Sequence, residues 1–61
     1  MSDSYFNAAL GSCYTAARKL LVELEEATGE ESIGEETRHD LSVLAIDTDD
    51  IASRISNLRN P

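Results

Sequence analysis

The chain reads as an all-α protein: an antiparallel helical hairpin (a two-helix coiled coil) that assembles into a four-helix bundle or a larger helical oligomer. Three observations predict it. First, small and apolar residues recur at alternating steps of four and three along two stretches. One is Phe6, Leu10, Cys13, Ala17, Leu20, Leu24 and Ala27; the other is Thr37, Leu41, Leu44, Thr48, Ile51, Ile55 and Leu58. That spacing is the seam of a coiled coil. Second, folding one stretch onto the other about Ser32 brings the rungs into register, from Phe6 beside Leu58 to Ala27 beside Thr37. Third, Tyr14, Leu21, Val22, Val43 and Ile46 fall off both ladders. On a lone hairpin Leu21, Val22, Val43 and Ile46 would remain wet at similar heights, as an apolar girdle, and contiguous exposed apolar surface usually marks an interface. These five are the expected oligomer interface.

The 61 residues make a single hairpin domain, 1–61. The spacing predicts a helix over about 4–28, a turn over about 29–32 and a helix over about 33–60. Asp3 or Ser4 can cap the first helix, because short oxygen-bearing side chains accept from the free amides of the first turn. Gly11 lies inside that helix, off the seam. Gly29 follows the last periodic residue, where a left-handed glycine commonly closes a helix. Ser32-Ile33-Gly34-Glu35 has the spacing of a capping box for the second helix. Acids in its first turn and Arg54 and Arg59 near its end suit the helix dipole. Each helix would be roughly 38 Å long at 1.5 Å per residue. A rod two helices thin has little interior, so partner copies are the expected source of further stability.

Composition narrows the chemistry. Cys13 is the only cysteine and His39 the only histidine, so neither an intrachain disulfide nor a Cys/His zinc set can form. Cys13 on the ladder reads as a small hydrophobe, which fits a reducing, cytoplasmic setting. No apolar run approaches the roughly 20 residues that span a bilayer, and no basic leader precedes one. The three glycines form no phosphate-cradling loop. No nucleophile, base and orienter fall together. The expectation is a non-enzymatic protein with no catalytic residue, no metal and no cofactor.

Charge is uneven. Of 12 acids and 5 bases, eight acids and one base lie between Val22 and Asp40. The whole net charge of −7 therefore sits at the turn end. Glu25, Glu26, Glu30, Glu31, Glu35 and Glu36 form an acidic tip, which attracts basic surfaces and repels nucleic acid and membranes. The leading expectation is a small acidic self-associating protein that binds and modulates or inhibits a macromolecular partner, with the tip meeting a basic protein surface. Such a chain suits a phage or another mobile element.

A second reading is an oligomeric sponge for a small anionic or nucleotide ligand. It would use Tyr5, Tyr14, Arg18, Lys19, Arg54 and Arg59, since tyrosine can stack a base and a cation can neutralise a phosphate. In build, the acidic hairpin with heptads resembles the plasmid-encoded bundle protein Rop, although no run of residues matches. That resemblance implies RNA binding through the basic residues as a third reading, which the overall charge opposes.

Overall fold

The computed structural model describes residues 2–59, with side chains from Ser4 onward. The expected cap at Asp3 and the expected helix end at Asn60 therefore fall on side chains or residues outside that description. Two helices, α1 (Ser2–Thr28) and α2 (Glu35–Arg59), pack antiparallel in a rod with Cα extents of 50 × 15 × 10 Å. The hairpin is as expected; α1 starts two residues early and α2 two residues late.

The turn is closed by two short-range bonds and one arginine. The amides of Gly29 and Glu30 donate to the carbonyls of Glu26 and Ala27, each at 3.1 Å. These three-residue loops tighten the last turn of α1 in a 3₁₀ manner. No described glycine has a positive φ, so Gly29 does not form the expected left-handed cap. The capping box is displaced as well. The amide of Arg38 donates to the carbonyl of Gly34 at 2.9 Å, so Gly34 holds the cap position and Ser32 lies in the turn. Arg38 then reaches back across the bend. Its guanidinium donates to the carbonyls of Thr28 and, at 3.2 Å, Glu30, and lies 3.7 Å from the Glu35 carboxylate. Carbonyls left over at the end of α1 thus gain a charged donor from the first turn of α2.

The seam differs from the sequence ladder by a rotation. Along α1 the buried and half-buried positions are Leu10, Gly11, Tyr14, Ala17, Leu21, Leu24, Ala27 and Thr28. Along α2 they are Arg38, Leu41, Ser42, Ala45, Thr48, Ala52, Ile55 and Ser56. Three of the seven rungs of each predicted ladder are kept (10, 17, 24 and 41, 48, 55), and Ala27 stays half-buried. Others are exchanged for the next neighbour in the chain: Tyr14 for Cys13, Leu21 for Leu20, Ala45 for Leu44, Ala52 for Ile51. A helix turns about 100° per residue, so the centre of contact swings by about 50° on both helices.

The physical reason is size. Ala17, Ala45, Thr48 and Ala52 gather at mid-rod, and Ala52 is the most enclosed side chain, 1% exposed. Small residues let two helices approach closely, so the contact follows them and not the larger side chains. Thr48 is buried without loss because its hydroxyl donates to the Leu44 carbonyl at 2.7 Å. Leu21, expected at an oligomer interface, is instead buried between α1 and α2, and Tyr14 is half-buried there. Cys13, expected in the seam, is exposed.

Candidate functional site

The rotated seam gives the hairpin two unlike sides. On α1 the seam is flanked by Gly11, Arg18 and Glu25 on one side and by Phe6, Cys13, Leu20 and Ala27 on the other. On α2 the flanks are Ser42, Asp49 and Ser56, and Thr37, Leu44, Ile51 and Leu58. The Arg18 guanidinium meets the Asp49 carboxylate at 3.4 Å, so these two polar flanks share a side. The other two flanks must then lie together on the opposite side. There Phe6, Leu20, Leu44, Ile51 and Leu58 each leave more than half of their surface in solvent, and Cys13 lies among them. This apolar face covers 6–20 of α1 and 44–58 of α2, about 21 Å of the 50 Å rod.

The remaining apolar residues of the expected interface do not join that face. Ile46 is 69% exposed, and Val22 and Val43 are exposed as well. Ile46 lies on the polar side, where with Leu21, Ala45, Arg18, Glu25 and Asp49 it lines a shallow groove. Val43 points away from the seam on the back of α2. The four residues placed at one height by the sequence are therefore divided by the seam into one buried residue and three exposed ones.

The acidic residues of the expected tip lie around the turn. Glu25, Glu26, Glu30, Glu31, Glu35 and Glu36 are all exposed around the turn. Glu35 alone among them is ion-paired, with Arg38. The aromatic and basic residues of the ligand reading are dispersed. Lys19 and Arg59 border one shallow depression with Gly11 and Ser12, and Tyr5 borders its neighbour. Arg18 is paired with Asp49 on the polar side, Arg54 with Asp50 at 3.9 Å on α2, and Tyr14 is half-buried in the seam. Among the described residues no group of three or more His, Cys, Asp or Glu side chains could hold a metal ion, and no helix is long and apolar enough to cross a membrane.

No family model, no curated protein and no solved structure matches this chain.

Sequence reasoning found the apolar residues of the exposed face but assigned them to the hairpin's own seam. The signal that could have separated the two was residue size. Ala45 and Ala52 stand beside the ladder, and small side chains at matched heights mark where backbones meet.

Proposed function

We propose that this chain is a small interaction protein whose copies join through the apolar face into a four-helix bundle. The acidic turn end is then left to meet a basic surface on a macromolecular partner. The observation that carries the reading is the continuous face of Phe6, Cys13, Leu20, Leu44, Ile51 and Leu58, with five large side chains half in water. Full burial of such a side chain contributes about 1.5–3 kcal/mol. Covering the exposed half of five therefore supplies several kcal/mol per hairpin, a large share of what holds a small domain folded.

The geometry of a bundle supports the same reading. In a square array of four helices, the direction to the bundle centre lies about 45° from the direction to either neighbour. On both helices the predicted ladder is centred about 50° from the hairpin contact, to the same side. That is the offset expected when each ladder points at a bundle axis and not at its own hairpin partner.

With the apolar face covered, the acidic tip is the most strongly charged surface remaining. Its test is a variant with Glu30→Lys, Glu31→Lys and Glu36→Lys, assayed against a lysine-rich peptide as probe. The natural chain should bind the peptide with an affinity that falls as salt rises, and the variant should lose binding at unchanged helicity. Equal binding by both removes the tip from the proposal. A light-scattering mass of the natural chain tests the assembly: twice 6.7 kDa or more is expected, and a single-chain mass at every concentration contradicts it.

A further inference from the structure

We infer that two copies meet face to face with their turns at opposite ends, so that the acidic turn of each lies beside the open end of the other. The inference rests on the proposed self-association through the apolar face and adds its orientation.

The whole side of the rod on which the face lies measures 50 Å by 15 Å between Cα extents, on the order of 750 Å². A stable interface buries about 800 Å² per partner, so a partner has to cover that side from the open end to the turn, with the apolar stripe (6–20 and 44–58, about 21 Å at 1.5 Å per residue) as its core. A second copy offers the same apolar stripe in return, as a two-fold interface requires.

Two face-to-face arrangements satisfy a two-fold axis. If the axis runs along the rod, both turns lie at one end and each α1 rests on the partner's α2. If it runs across the rod, the turns lie at opposite ends, and α1 rests on α1 and α2 on α2. Side-chain volume separates them. Along each face the heights run from Phe6 with Leu58, through Cys13 with Ile51 and Leu20 with Leu44, to Ala27 with Thr37. The crosswise axis sets Phe6 and Leu58 against the partner's Ala27 and the partner's Thr37, large against small. It sets Cys13 and Ile51 against the partner's Leu20 and the partner's Leu44. Every layer then has a similar volume, which close packing favours. The lengthwise axis crowds two phenylalanines and two leucines at the open end and leaves only alanines and threonines at the turn end.

Charge points the same way. Arg54 and Asp40 stand on α2 at the edge of the apolar face, and Glu23 stands at the matching edge of α1. The crosswise axis brings Arg54 level with the partner's Asp40, twice by symmetry. Within one chain Arg54 has an exposed contact with Asp50 at 3.9 Å, which leaves its other donors for such a pair. The lengthwise axis instead brings Glu23 level with the partner's Asp40, twice, and sets two ends of charge −7 side by side. Like charges at that spacing oppose association.

The test is a distance between turns. The exposed Ser32 is changed to cysteine (Ser32→Cys, with Cys13→Ser), labelled with a nitroxide, and measured by pulsed dipolar spectroscopy. The expected separation is about the length of the rod, 50 Å. A separation below about 20 Å, two turns across adjacent helices, overturns the orientation and leaves self-association standing. No dipolar coupling together with a single-chain mass overturns both. A charge swap reads the same orientation without touching Cys13. Arg54→Asp should raise the dimer dissociation constant roughly threefold to tenfold, and adding Asp40→Arg should restore it. Failure of the second change to restore binding counts against the crosswise axis.

Discussion

The two sides of this hairpin are built from neighbouring residues and could hardly differ more. One side carries Arg18, Glu25, Ser42 and Asp49, with a cross-helix ion pair at mid-rod. The other carries Phe6, Cys13, Leu20, Leu44, Ile51 and Leu58, all exposed. Between them runs a seam of small and medium side chains, tightest at Ala52. The difference teaches that two forces act on separate residues. Close approach is set by Ala17, Ala45, Thr48 and Ala52, which bring the helices together. Phe6, Leu20, Leu44, Ile51 and Leu58 are thereby left on one side, where only something outside the hairpin can cover them.

The comparison breaks most sharply if the sides are made alike. Leu20→Glu with Ile51→Glu puts two charges on the apolar face. Self-association should weaken by at least a hundredfold, since leaving two charges in an apolar interface costs on the order of 3 kcal/mol or more. The matched pair His39→Glu and Ser53→Glu, at exposed positions of α2 away from that face, should leave association within about threefold. Sedimentation equilibrium reads both.

A second change tests the seam itself. Ala52→Leu forces three carbons into the closest approach and should cost about 1–3 kcal/mol in denaturant unfolding. Ile51→Leu, one residue away, should cost less than about 1.5 kcal/mol because the volume is conserved. If the two cost the same, the rotated seam is wrong and the original ladder is right.

The turn supplies the next effect. Arg38→Ala removes a charged donor from the carbonyls of Thr28 and Glu30. About 1–2 kcal/mol should be lost, with little change in assembly mass. The smallest effect belongs to the polar side. Arg18→Ala breaks an ion pair whose members are 49% and 61% exposed. Its expected cost is within about 0.5 kcal/mol, because solvent and salt screen such pairs.

Much of this was legible in the sequence. The steps of four and three from Phe6 to Leu58 give two helices and their antiparallel register, and the run of glutamates around Ser32 gives the charged end. Three features were not. The rotation of the seam depends on side-chain volume, which a pattern of apolar against polar does not weigh; on that scale Ile51 outranks Ala52, yet Ala52 is the enclosed one. The cap of α2 lies at Gly34 and not at Ser32: the Arg38 amide donates to the Gly34 carbonyl while its guanidinium reaches back across the bend, a long-range contact that local spacing does not report. The expected girdle around Leu21 dissolved for the same reason as the ladder. Once Leu21 turns into the seam, Val22, Val43 and Ile46 are left on other surfaces.

If copies of this chain meet on the exposed apolar face, that face is shielded in the assembly. Cys13 lies in the middle of that face and needs no substitution to report on it. The rate at which a thiol reagent modifies Cys13 should be followed against protein concentration, alongside molecular mass. Modification should slow as the mass rises from 6.7 kDa to twice that value. A doubled mass with an unchanged rate would show that copies meet elsewhere, and would contradict the proposal.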